Sequence, residues 1–236
     1  MKGALKALAF LTPFGRAQVP SVGAVGWFPA VGLLIGAGLG GLWWVTDKAW
    51  PAAVAAVVVV MADLAATGML HFDGLVDSGD GLIAPMDRDR RLVVMSDPGV
   101  GAFGLAAAAV MLLGRWAALA TVKPAPLLLV GLWCLSRSVM TAVMATQPYA
   151  RGQGLATAFA GRVPWWPALL GGLAALAAAM SWKPLAGGIA IAAAVGVGLA
   201  VVILARRRIG GYTGDVLGAA GVAAETAGLI VAAAKW

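Results

Sequence analysis

The chain has 236 residues, of which 61% are hydrophobic and 11% charged, and its mean hydropathy is +0.92. That mixture excludes a soluble globular domain and defines a polytopic membrane protein. The net charge of +7 does not point to nucleic acid, because the basic residues are scattered between apolar spans and no nucleic-acid module is present; the excess reads as a topology signal.

Long Ala/Leu/Val runs without period-2 alternation, together with 33 glycines, favour closely packed helices over barrel strands. The expected fold class is therefore all-α, a transmembrane helical bundle forming a single domain over residues 1–236. Residues 1–28 read as an N-terminal interfacial segment: Lys2 and Lys6 accompany only a short apolar run, which suits an amphipathic helix better than a cleavable signal peptide. Spans follow at 29–46, 51–70, 102–122, 125–146, 164–181, 185–205 and 216–234, about seven in all. Cys134, the one cysteine, lies inside an apolar run; it excludes an intramolecular disulfide and reads as a small core residue.

With the N-terminus in the cytoplasm, the inner segments hold Lys2, Lys6, Arg16, Arg88, Arg90, Arg91, Arg151, Arg162 and Arg206 to Arg208. Only Lys48, Lys123, Lys183 and Lys235 fall outside, and Arg115 and Arg137 fall within spans. This is the asymmetry of the positive-inside rule. It orients a multi-pass protein with its polar motifs facing the cytoplasm.

Three motifs stand on that side. The first, His71 to Gly104, carries six of the ten acidic residues, and residues 71–101 form the Asp-rich active-site segment. If its first part is helical, Asp73, Asp77 and Asp80 fall at i, i+4 and i+7 and stack three carboxylates on one face. Such repulsion calls for a hard divalent cation, and Mg²⁺ commonly bridges one or two carboxylates to a substrate phosphate. Asp97, with these three, completes the expected metal and catalytic set. The second motif is QPYARGQG (Gln147 to Gly154), with Arg151. The third is RRRIGGYTGD (Arg206 to Asp215), with Gly210, Gly211, Thr213 and Asp215.

The glycine runs Gly99–Gly104 and Gly210–Asp215 each precede a membrane helix. A helix N-terminus with exposed amides is an anion site that glycine lets a phosphate approach, so Gly101 and Gly104 join the substrate-binding candidates; glycine before a helix is also simply a turn. Arg91 shares its triplet with a topological role. Arg137 sits mid-span, where a charge needs a polar interior or a partner. Asp63 and Glu225 are also intramembrane, and either serve function or pair with an arginine such as Arg115. His71, the only histidine, either orients a substrate hydroxyl and takes a proton or is satisfied by a neighbouring carbonyl. There is no His/Cys cluster for zinc, so metal-assisted phosphoryl transfer is the chemistry left standing.

The blocks TGMLHFDGLVDSGDGL (Thr67 to Leu82), DRDRRLVVMSDPGVGAFG (Asp87 to Gly104), PYARGQG (Pro148 to Gly154) and GGYTGDVLGA (Gly210 to Ala219) resemble, in order, the adenosylcobinamide-GDP ribazoletransferase (cobalamin 5'-phosphate synthase) family. The resemblance implies a Mg²⁺-dependent inner-membrane enzyme. It would join adenosylcobinamide-GDP to α-ribazole or α-ribazole 5'-phosphate and release GMP. The partners implied are these small molecules and the surrounding membrane lipid, with room for a homo-oligomer. A partial likeness links Asp77 to Ala84 to the aspartate motif of CDP-alcohol phosphotransferases, but Pro85 stands where that motif has arginine and Gly101 where it ends on aspartate. A transporter is the reading from another class, since Asp63, Arg115, Arg137 and Glu225 could line a pathway.

Overall fold

The computed structural model describes residues 2–15, 21–151 and 163–236. Arg16 and Arg162, counted above as inner charges, and the Gly152–Gly154 end of the second motif lie outside the described residues. The chain runs as α1 (Lys2–Leu11), α2 (Val22–Val25), α3 (Phe28–Ala49), α4 (Ala52–Ala66) and α5 (Leu70–Ser78), continues through a π-helical turn (Gly79–Ile83), and then forms α6 (Arg88–Val94) and α7 (Ala102–Thr121). It ends with α8 (Pro126–Thr146), α9 (Trp166–Trp182), α10 (Pro184–Ile209) and α11 (Gly214–Ala232). Among the described residues the only β pairing is one bridge, Tyr149 with Tyr212.

Local sequence sets these boundaries. Proline opens α3, α8, α9 and α10 within the first two positions, where its missing N–H costs nothing and its fixed φ suits the helix. Gly210, at φ 83°, closes α10 in the left-handed region. Among the described residues five helices, α3, α7, α8, α10 and α11, are long and apolar enough to cross a membrane; α4 and α5 make a sixth if joined, though they bend by 92°. The expected span at 164–181 is α9, an apolar helix of 17 residues. The span expected at 51–70 is corrected: it stops at Ala66, because Gly68 (φ 56°) and Met69 (φ 59°) turn left-handed in succession and no α-helix continues through that.

The bundle packs through small residues. Gly32, Gly36 and Gly40 line one face of α3, and a Cβ on any of them would run into the backbone of α8 at Trp133, Leu129 or Pro126. Their spacing lets two helix backbones touch, the close approach that drives association where lipid offers no hydrophobic gain. Buried in the bundle, Arg115 pairs with Asp63 and with Glu225 (2.9 Å), and Arg137 pairs with Glu225. Trp133 Nε1 donates to Asp63 at 2.8 Å and Ser136 Oγ to Glu225 at 2.7 Å. Two cations meet two carboxylates, so four intramembrane charges sum to zero.

The polar loops gather at one end. Arg88 Nε donates to the Ile209 carbonyl (3.0 Å), Arg151 to the Met95 carbonyl (3.0 Å), and the Tyr212 amide to the Pro148 carbonyl (3.0 Å). The connections at the other end are short: Trp50–Pro51, Val122–Ala125 and Lys183. Helix α1 belongs to the polar end, where Phe10 stacks on Phe28 at 5.8 Å between ring centroids.

Candidate active site

Two backbone straps build the floor of the polar end. After α8 the chain extends through Pro148 to Ala150, and after α10 it extends through Gly211 to Thr213; they pair by Tyr212 N to Pro148 O (3.0 Å) and Ala150 N to Tyr212 O (2.8 Å). Gly211 is required there, since a Cβ would collide with the Pro148 carbonyl. The two tyrosines of the chain, Tyr149 and Tyr212, meet edge to face at 5.4 Å. This pairing delivers Arg151 to Asp215: its Nη2 donates to Asp215 Oδ2 at 3.0 Å. Thr213 caps α11 by accepting from the Val216 amide (3.3 Å) and also donates to Asp215 (3.1 Å).

Facing this strap is α5, pressed against the first turns of α11. Gly74 lies over the Asp215 backbone and Gly218 over the His71 backbone, with room for a Cβ at neither position. The contact sets Asp73 and Asp77, one helical turn apart, beside Asp215. Asp77 lies beyond the bend that ends α4, in this polar layer. Its carboxyl is pushed up to about 7, first by burial and then by the charges of Asp215, Asp73 and Asp80, which outweigh the opposing influence of Arg151. Negative charge is thus in excess here.

The stacking of three aspartates on one face is corrected for Asp80. The π-turn adds a residue per turn and swings Asp80 inward, where both carboxylate oxygens are taken by the start of α7: the Gly101 amide donates at 2.7 Å and the Gly104 amide at 2.8 Å. The protein's own carboxylate therefore holds the helix N-terminus that was expected to bind substrate phosphate through Gly101 and Gly104. Asp97 is exposed and accepts from the Gly99 amide (2.8 Å). Arg91, expected at the substrate, is buried and donates to the carbonyls of Gly81 (2.7 Å) and Leu82 (3.1 Å), which the π-turn leaves without helical partners. Arg137 is corrected likewise: its expected substrate contact is replaced by the ion pair with Glu225. Gly210 caps α10.

Among the described residues no three His, Cys, Asp or Glu side chains form a ready ligand set, and of the four expected aspartates Asp80 and Asp97 accept backbone amides. The crowded carboxylates are Asp73, Asp77 and Asp215. As hard oxygen donors with unbalanced charge they suit Mg²⁺, which keeps most of its waters and needs only one or two carboxylates plus a substrate phosphate.

Two cavities meet at Arg151, which lines both, and Asp73 and Asp215 line the inner one. The inner one, about 190 Å³, has apolar walls that include Phe10, Phe28, Met140, Met144 and Leu217, and a polar side made by His71, Asp73, Arg151 and Asp215. The outer one, about 800 Å³ and open, is lined by Arg88, Val93, Ser96, Asp97 and Arg151. Sequence reasoning missed the walls given by α1 and α8 and the tyrosine contact. The only signal available was that each of the two tyrosines falls inside a polar motif.

The molecule is thus a helical membrane bundle whose inner charges neutralise one another, with an acidic cleft and two cavities at one end. The family profile described as cobalamin-5-phosphate synthase matches residues 3–233. Relatives named adenosylcobinamide-GDP ribazoletransferase include those of Chlorobaculum parvum, 35% identical over 98% of this chain and 93% of the relative, and Deinococcus radiodurans, 39% identical over 93% and 81%. A third, from Mesorhizobium japonicum, is 39% identical over 86% and 80%. The chain belongs to the cobalamin-5-phosphate synthase family, transferases of cobalamin biosynthesis. No solved structure matches it.

Proposed function

We propose that the chain joins adenosylcobinamide-GDP to α-ribazole or its 5'-phosphate with release of GMP, using Mg²⁺, at the cytoplasmic face of the inner membrane. The observation that carries the reading is the crowding of Asp73, Asp77 and Asp215 around Arg151, the residue that lines both cavities, in a chain of this family. The excess of Lys and Arg in the segments at this end supports the cytoplasmic side.

The ribose 3'-hydroxyl attacks the phosphorus attached to cobinamide. A new P–O bond forms, the bond from that phosphorus to the bridging oxygen breaks, and GMP departs with the oxygen and its electron pair. One or two of Asp73, Asp77 and Asp215 would hold Mg²⁺, which would neutralise the pyrophosphate charge when bound. A carboxylate of this set accepts the hydroxyl proton. Arg151, held by the Met95 carbonyl and Asp215, presents its guanidinium to the phosphate oxygens. Asp80 acts at one remove, fixing the start of α7 against the π-turn that carries it. Positioning and electrostatic stabilisation supply most of the rate in such transfers.

The test is purified protein in lipid, offered labelled adenosylcobinamide-GDP with α-ribazole, CDP-diacylglycerol with an alcohol acceptor, or no nucleotide. Release of GMP only in the first is expected. Release of CMP with no GMP would turn the assignment over to lipid synthesis, and no release in any arm would reject the transfer.

A further inference from the structure

The reaction above brings together two substrates of very unequal size, and the polar end offers two very unequal cavities. Arg151 lines both. The inner chamber, about 190 Å³, is below the roughly 300–1,000 Å³ of a site that encloses a whole drug-sized ligand, so it holds one fragment of a substrate. Its walls select the kind of fragment. Phe10 and Phe28 lie stacked with planes 8° apart, and Met140 and Met144 bring thioethers, polarisable groups that pack well against aromatic rings.

The polar side of the chamber is also incomplete. His71 is 6% exposed and its Nε2 has no hydrogen-bond partner among the described residues, and the same holds for the buried Nε of Arg151. Buried polar nitrogens without partners carry a free-energy cost that a ligand's acceptor or hydroxyl removes. The outer basin differs in each respect. It is open, it is large at about 800 Å³, and Arg88 and Arg151 put two guanidinium groups on its rim.

We infer that the inner chamber is the subsite for the bicyclic aromatic base of the acceptor nucleoside, with His71 on its polar side, and that the nucleotide end of the bulky donor lies in the outer basin, the two meeting at Arg151. The assignment rests on the function proposed above. It has a structural consequence: α1, through Phe10 and Leu11, is a wall of the acceptor site and not merely an anchor in the interface.

Site-directed labelling tests it without turnover. The chain's one cysteine, Cys134, is fully buried, so the parent protein has no exposed thiol. Met144→Cys puts a thiol in the inner chamber and Ser96→Cys one in the basin. Each is labelled with a small methanethiosulfonate in lipid, with α-ribazole or GMP as the protecting ligand. At a ligand concentration roughly ten times Kd, α-ribazole should slow labelling of Met144→Cys roughly tenfold and leave Ser96→Cys unchanged, and GMP should do the reverse. GMP protection of Met144→Cys, or α-ribazole protection confined to Ser96→Cys, would overturn the assignment, as would no protection of Met144→Cys by α-ribazole. If Met144→Cys does not insert, Phe10→Cys on another wall of the chamber serves in its place. Protection without GMP release would sink the proposed reaction and keep the subsite; GMP release without protection would sink the subsite alone.

Discussion

Replacing Asp80 by Asn should unfold the protein more than it disarms it, whereas the same change at Asp77 should do the opposite. Asp80 is 7% exposed and accepts the Gly101 and Gly104 amides at 2.7 and 2.8 Å. Hydrogen bonds to a charged group contribute about 1.5–3 kcal/mol each, and a buried N–H left without a partner costs about 1–3 kcal/mol. Asn keeps one acceptor oxygen but turns an amino group toward the other glycine amide. One charged bond is lost, the other becomes neutral, and the favourable charge at the N-terminus of the 20-residue α7 disappears. The sum is about 3–5 kcal/mol, a fall in melting temperature of roughly 10 °C for a chain of this size. Among the described residues Asp77 makes no such bonds, and it sits among like charges, so Asp77→Asn should melt at the same temperature or higher in metal-free buffer while losing at least about a hundredfold in rate, some 2.7 kcal/mol of barrier. Thermal unfolding in detergent micelles, followed by tryptophan fluorescence, gives the first quantity and GMP release the second. An Asp80→Asn protein that melts with the parent would refute the assignment of Asp80 as the clamp on α7.

Further outcomes follow from the same geometry. Glu225→Gln leaves Asp63 as the counter-charge of Arg115 and takes from Arg137 its ion-pair partner; it should cost about 3–5 kcal/mol and appear as poor recovery from the membrane, whereas normal recovery would show that the charges are not a structural network. Asp87 caps α6 through the Arg90 amide at 2.9 Å in an exposed position, so Asp87→Asn should lose well under ~1 kcal/mol, with near-parental GMP release in the transfer assay. Because the Asp77 carboxyl rises from 3.8 to about 7 on folding, its contribution to stability is complete below about pH 4 and is lost as pH rises toward 7. The melting temperature of the metal-free parent should therefore fall across that window more than that of Asp77→Asn, and parallel curves would exclude the crowding. EDTA should abolish transfer and Mg²⁺ restore it, with Ca²⁺ binding but supporting little turnover because of its looser, longer coordination; full activity after exhaustive chelation would remove the metal from the mechanism.

Much of this molecule was legible in one dimension. Hydropathy marks membrane helices because lipid leaves a backbone no other way to satisfy its amides, and proline at the head of α3, α8, α9 and α10 is a local signal that needs no partner. The motif blocks carried the family, and their segregation to one side of the spans carried the single polar end. Tertiary structure alone decided what each charged residue does there. Asp73, Asp77 and Asp80 read as equivalent at helical spacing, yet a π-turn of five residues, whose carbonyls need Arg91 from a later helix, sends Asp80 to cap α7 and leaves the other two beside Asp215. Arg137 and Arg151 were both expected at the substrate; one is buried against Glu225 and the other is carried to Asp215 by the pairing of two straps more than sixty residues apart in sequence. A charge takes its role from the nearest opposite charge or free amide, and with partners this distant in the chain, only the packing of α5 on α11 and of α8 among its neighbours determines which one that is.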